Sequence, residues 1–281
     1  MKRAVLWSIS LVLSTSLAQM PVAATTGFIG DMVRNVGGSR ITLTVMAPPN
    51  VDPHSFEPKP SVLIGVSKAR VIFANGLGLE PFLGPIRAQA PANVEVVLLG
   101  EGQTGLIKNG SSYDPHLWLD PTYGIRYAES IREALSKLDP AGRAIYQANA
   151  ARYIAEIQQA DKQVLACLRT VPVSARKIVS QHEALLYFSR HYQIKDVGSI
   201  ADFAGQEKGP RRFAKLAELM KQQGIKTVFA EPQFPKNEAR ALAEATGARV
   251  SLIYSDAFAS PVNTYLELLR ANGQAVCEAF K

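Results

Sequence analysis

Residues 140–170 read PAGRAIYQANAARYIAEIQQADKQVLACLRT, and this stretch decides the architecture. Apolar side chains recur at Ile145, Tyr146, Tyr153, Ile154, Ile157, Val164, Leu165 and Leu168, with Gln, Arg and Glu between them. That is the period of one amphipathic helix, sustained over more than about 25 residues, beyond the usual length in a globular domain. It predicts a rigid strut joining two lobes.

Outward from the strut, both flanks show the same alternation. On the N-terminal side Val22 to Thr26, Ile41 to Val45, Val71 to Ala74 and Val94 to Leu98 are strand-like, while Phe28 to Val36 and Ser61 to Lys68 are helix-like. On the C-terminal side Ile178 to Ser180, Thr227 to Ala230 and Arg249 to Ile253 are strand-like. One helix there starts near Arg211 and closes at Gly224, another runs from Pro235 to Gly247, and a last one spans Asn263 to Phe280. Alternation of this kind builds mostly parallel sheets covered by helices. The expected fold is α/β: an N-terminal lobe at 19–139, a linking helix at 140–171 and a C-terminal lobe at 172–281.

Residues 1–18 read as a cleaved signal peptide: Met1-Lys2-Arg3, then an apolar run too short to span a bilayer, ending in the small residues of Ser16-Leu17-Ala18. No cysteine lies near that cut, so the expectation is a soluble periplasmic protein without a lipid anchor. Removing the segment lowers the formal charge from +7 to +5. Basic residues are scattered among acids and no basic run carries interleaved aromatics, which argues against nucleic acid as a partner. The remaining ~260 residues suit two lobes better than one. Cys167 and Cys277 are far apart; in an oxidising compartment they either form one disulfide pinning the C-terminal helix or stay buried and unpaired.

The chain has four histidines, and two of them share one context, Asp52-Pro53-His54 and Asp114-Pro115-His116. Proline fixes its own φ and extends the residue before it, so each imidazole is presented from a stiff loop. His182 follows the apolar stretch Lys177 to Ser180, and Asp256 follows Arg249 to Ile253. Loops at the C-terminal ends of parallel strands are where open α/β sheets bind ligands, so two facing lobes would bring His54, His116, His182 and Asp256 into one cleft. Three imidazoles and a carboxylate suit zinc best, with manganese or iron(II) as alternatives. Singly, each residue has a plain alternative. His191, in Ser189-Arg190-His191-Tyr192, reads as an exposed surface histidine, and Asp120-Pro121 as a helix start.

The runs Asp52-Pro53-His54-Ser55-Phe56-Glu57-Pro58 and Asp114-Pro115-His116-Leu117-Trp118-Leu119-Asp120-Pro121 resemble the two metal-binding signatures of the zinc and manganese solute-binding proteins of bacterial ABC importers. Gly76-Leu77-Gly78-Leu79-Glu80, His182-Glu183-Ala184 through Tyr187-Phe188, Glu231-Pro232-Gln233 and Ile253-Tyr254-Ser255-Asp256 match in order over nearly the whole mature chain. The resemblance implies two lobes bridged by a long helix, an ion clamped at His54, His116, His182 and Asp256, and a membrane permease with its cytoplasmic ATPase as partners. A metallochaperone is a further candidate partner, and a monomer is expected. Residues 101–113 lack the histidine-rich loop of many zinc members, and Pro53 stands where some carry an acid. Manganese members usually have Glu where this chain has His182, which favours zinc as the transported ion. Asp52, Asp114 and Glu231 are candidate acceptors for imidazole N–H groups.

A zinc hydrolase is the alternative of a different class, since three histidines can also hold catalytic zinc. The chain lacks His-Glu-x-x-His, and Glu183, the acid beside a candidate ligand, reads as a solvated residue opening the next helix. An adhesin of the same fold is set aside for want of an anchor. Capture and release are expected through small lobe tilts and movement of the loops carrying His182 and Asp256.

Overall fold

The computed structural model describes residues 19–89, 91, 93–202 and 209–281, so the signal peptide expected at 1–18 lies outside the described residues. The N-terminal half runs β1 (Met20–Ala24), α1 (Gly27–Gly37), β2 (Ile41–Val45), α2 (Pro60–Val66), β3 (Val71–Ala74), α3 (Leu83–Gln89) and β4 (Glu95–Leu98). A small hairpin of β5 (Lys108–Asn109) and β6 (Ser112–Tyr113) follows, then α4 (Pro121–Leu138) and the long helix α5 (Arg143–Leu168). The C-terminal half runs β7 (Lys177–Ser180), α6 (Leu186–His191), β8 (Lys195–Ser199), α7 (Pro210–Gln223), β9 (Thr227–Ala230), α8 (Asn237–Thr246), β10 (Arg249–Leu252) and α9 (Tyr265–Phe280).

The first sheet has the order β2-β1-β3-β4 and the second β10-β9-β7-β8, with every pairing parallel. Read in the opposite sense the second order is that of the first, so the two lobes repeat one topology. The inner strands β3 and β9 are buried along their whole length, as the apolar runs VIFA and TVFA require of strands covered on both faces.

Local signals set the helix ends. Asp120 caps α4 by accepting from the Thr122 N–H, with Pro121 next. Thr264 and Glu267 form a capping box at α9. Gly224 and Gly247 close α7 and α8 in the left-handed conformation that glycine adopts without strain.

Helix α5 has 26 residues, so it is about 39 Å long at 1.5 Å per residue. It buries Tyr146, Ala150, Tyr153, Ile157, Ala160, Val164 and Leu168. Each fully buried aliphatic on that face contributes about 1.5–3 kcal/mol. One apolar cluster runs from Val22 and Phe73 in the first sheet through α1, α4, α5 and α9 to Ile178 and Phe229 in the second. The lobes therefore share a core around the strut. Cys167 on α5 and Cys277 on α9 form a disulfide, which ties the strut to the last helix.

Several elements differ from the sequence expectation. Strand β1 starts two residues earlier than Val22, and the run from Pro140 opens with a 3-10 turn at Pro140–Gly142 before α5 begins. Strand β8, helix α3 and the hairpin had no sequence signal. β8 is an edge strand carrying Lys195, Asp196 and Gly198, α3 contains Gly84 and Pro85, and β5 and β6 are two residues each.

Candidate metal centre

The two halves meet at the C-terminal ends of their strands. His54 lies beyond β2, His116 follows the hairpin after β4, His182 follows β7 and Asp256 follows β10. The structure brings all four together, with one ligand atom of each within 4.8 Å of the others. His116 and His182 are fully enclosed and Asp256 nearly so, while His54, 9% exposed, forms the rim.

His54 Nε2 and His116 Nε2 are 3.3 Å apart. Asp256 Oδ1 is 3.3 Å from His116 Nε2, and Asp256 Oδ2 is 3.0 Å from His182 Nε2 and 4.0 Å from His54 Nε2. Tetrahedral bonds of about 2.0–2.1 Å to one ion place neighbouring donor atoms roughly 3.3 Å apart. The three shorter separations match that spacing for one small divalent cation, and the Asp256–His54 separation of 4.0 Å is wider.

The outer ring nitrogens are held by carboxylates. His116 Nδ1 is 2.7 Å from Asp114 Oδ1, which also accepts the His116 backbone N–H. His182 Nδ1 is 2.7 Å from Glu231 Oε2, while Glu231 Oε1 accepts the His182 backbone N–H at 3.1 Å. Such acceptors fix the tautomer that turns Nε2 inward and raise its basicity. Asp52 differs: its carboxylate accepts from the His54 backbone N–H and the Ser55 hydroxyl, so it shapes the turn.

Burial pushes the His54 imidazole down to about 4, so this ring is free of its proton at neutral pH. Burial acts on His182 in the same direction, but the Glu231 and Asp256 carboxylates at its two nitrogens outweigh it and hold the ring well above the usual imidazole range. Burial would raise Asp256, and the surrounding imidazoles, His182 foremost, instead hold it below the carboxylate range. The cluster is a proton-binding site that a cation would have to displace.

The second sequence run is braced from both sides. The buried Glu80 carboxylate accepts from Thr25 Oγ1 and the N–H groups of Asn75 and Gly76, and Asn75 Nδ2 donates to the Pro115 carbonyl. Trp118 stacks on Phe28 and donates its indole N–H to the Ser255 carbonyl, beside Asp256. Ser255 Oγ and Gln233 Nε2 both donate to Glu231.

Two other expectations are corrected. His191 is not an exposed histidine: it is partly buried between Asp120, 3.3 Å from Nδ1, and Asp161, 2.8 Å from Nε2. Those acids come from α4's cap and from α5, 30 or more residues away, so no local pattern announced them. Glu183 does not open the next helix, because α6 begins at Leu186; it is half-buried and 4.0 Å from Arg212.

The family model described as "Zinc-uptake complex component A periplasmic" (ZnuA) matches residues 22–279. The chain belongs to this family. Among curated relatives, the manganese-binding lipoprotein MntA of Halalkalibacterium halodurans is 30% identical over 259 residues, covering 90% of this chain and 86% of that one. The manganese ABC transporter substrate-binding lipoprotein scaA of Streptococcus gordonii is 27% identical over 279 residues, covering 94% and 90%. Among solved structures, the periplasmic zinc binding protein TroA from Treponema pallidum superposes with a TM-score of 0.88 at 23% identity, covering 94% of this chain and 99% of that one. The two-lobed α/β architecture is thus that of TroA. The Streptococcus relatives are by name substrate-binding components of metal ABC transporters.

These relatives also overturn one expectation. Those from Halalkalibacterium and Streptococcus are lipoproteins by name, against the inference of a protein with no lipid anchor. That inference rested on the lack of a cysteine beside residue 18, in a stretch outside the described residues, and with it goes the reason for setting an adhesin aside.

Proposed function

We propose that this chain binds one divalent ion, zinc in preference to manganese or iron(II), through His54, His116, His182 and Asp256, and delivers it to an ABC import permease driven by a cytoplasmic ATPase. The observation that carries it is the convergence of these four buried side chains, one ligand atom of each within 4.8 Å of the others and three of the pairs at 3.0–3.3 Å. Zinc is favoured by the chemistry of the set. Three imidazole nitrogens and one carboxylate suit a borderline cation of low coordination number, whereas manganese prefers an oxygen-rich shell. The carboxylates behind His116 and His182 strengthen imidazole as a donor and add net negative charge around the ion.

A closed set of four donors favours carriage over hydrolysis, since catalytic zinc keeps a position open for water. The test is a competitive titration of the stripped protein offered zinc, manganese and iron(II) together, with His116→Ala alongside. One zinc per chain, weakened at least ~10-fold in the variant, is expected. Preference for manganese would overturn the ion, and undiminished binding by His116→Ala would overturn the site.

A further inference from the structure

Tyr187, on α6 in the C-terminal half, is wholly buried, and its hydroxyl sits inside the backbone ladder of a hairpin in the N-terminal half. In β5 and β6 Lys108 pairs with Tyr113 and Asn109 with Ser112. The next pair outward, Ile107 and Asp114, stands where an antiparallel ladder exchanges two hydrogen bonds. Only one is direct: the Asp114 N–H donates to the Ile107 carbonyl at 2.9 Å. In place of the other, the Ile107 N–H donates to Tyr187 Oη at 2.9 Å, and Tyr187 Oη donates to the Asp114 carbonyl at 3.0 Å. The phenol is a relay inserted into the missing rung.

Asp114 is the residue whose carboxylate holds His116 Nδ1, and Tyr187 lies five residues beyond His182 in sequence. The same helix grips the same region twice more. Arg190 donates to the Gly105 carbonyl at 2.7 Å and to Tyr123 Oη at 3.2 Å, with its guanidinium over the Tyr187 ring. His191 lies between Asp120 and Asp161. Burial pushes the Tyr187 phenol up to about 12, so it keeps the proton it donates.

We infer that Tyr187 is a positioning residue for the ion: its hydroxyl, supplied from the C-terminal lobe, completes the ladder that aims Asp114 and His116. His116 is thereby fully aligned when the segment carrying His182 is docked, and each lobe's histidine depends on the placement of the other's. This rests on the metal-binding reading of the site.

Tyr187→Phe in the full chain removes the hydroxyl and keeps the ring. With zinc as probe, the dissociation constant is expected to rise about tenfold, mainly through a faster off-rate, the worth of one buried hydrogen-bond relay. A merely bracing tyrosine would lower the unfolding midpoints of stripped and loaded protein together and leave zinc affinity at the wild-type value; that result overturns the inference. Hydrogen exchange on the wild-type chain tests it without a variant: protection of the Ile107 amide should rise on loading, and equal protection in both states overturns it. His116→Ala separates the two failures. If that variant loses zinc while Tyr187→Phe does not, the inference alone falls; if it binds zinc normally, the site reading falls and takes the inference with it.

Discussion

Replacing Glu231 by Gln removes one charge from the wall of the site while keeping the side chain's shape. Both carboxylate oxygens are acceptors here. Oε2 faces His182 Nδ1, Ser255 Oγ and Gln233 Nε2, and Oε1 receives the His182 backbone N–H. An amide can accept through one end only. In either orientation its NH2 group confronts a donor already in place, leaving at least one buried donor unsatisfied, which costs about 1–3 kcal/mol. The imidazole also loses the anion that makes Nε2 a stronger donor, so zinc affinity should fall about 10- to 100-fold. The pH dependence carries a second signature. His182 in the stripped protein is held protonated by Glu231 and Asp256, and its proton must leave when a cation binds. Its raised value stabilises the stripped fold on the acid side, and that contribution is lost as pH rises through the folded value. Wild-type affinity should therefore weaken about tenfold per pH unit lost below that value, and Glu231→Gln should flatten the slope by drawing His182 down. Competitive zinc titration at several pH values, with proton release measured by calorimetry in two buffers, reads both effects. A folded Glu231→Gln protein with wild-type affinity and an unchanged slope would refute the reasoning.

Two further outcomes follow from the scaffold. Opening the Cys167–Cys277 bridge by Cys277→Ser frees a loop with a sequence separation of 110 residues, so thermal unfolding should show a loss of about 2–5 kcal/mol, and an unchanged midpoint would show that the bridge adds no stability. Asp196 on β8 has its carboxyl raised to about 7, by burial first and then by Glu183, and among the described residues its Oδ2 has no hydrogen-bond partner. The folded state therefore holds a proton that the unfolded chain releases near 4, and stability should fall as pH rises from about 4 to about 7. Asp196→Asn should abolish that decline and raise the midpoint above pH 7, by about 2–4 °C for each kcal/mol recovered, as measured by calorimetry across the range.

Much of the scaffold was legible because it depends on local periodicity. The apolar period over α5 includes Tyr146, Tyr153, Ile157, Val164 and Leu168, all of which the helix buries. It also includes Ile145, which is 43% exposed, because an apolar residue next to the stripe cannot be told from one on it by spacing alone. Strands β3 and β9 stood out as apolar runs and β2 as an alternation of apolar residues with threonine, whereas β8 owes its place to pairing with β7 and carries residues that disfavour strands. The stiff Asp-Pro-His turns were readable, since proline acts on its immediate neighbours. The different jobs of Asp52 and Asp114 were not, because the same tripeptide turns its acid to the backbone in one loop and also to the ring in the other. Tyr187 and His191 were invisible as bridging residues: Ile107 is 80 residues from Tyr187, and Asp161 is 30 from His191.

The burial of His116, His182 and Asp256 has a kinetic consequence. On the proposed function, a cation held there reaches water only past the His54 rim, so its escape would be timed by how often the protein parts around it as well as by bond strength. Tightness and speed of delivery then become separable quantities. On that reading a partner that held the two halves a fraction wider would unload the protein quickly without altering a single donor atom, and the undisturbed protein would keep the same cation for long periods in a metal-poor medium. The enclosure would then work as a timer that a docking surface could reset.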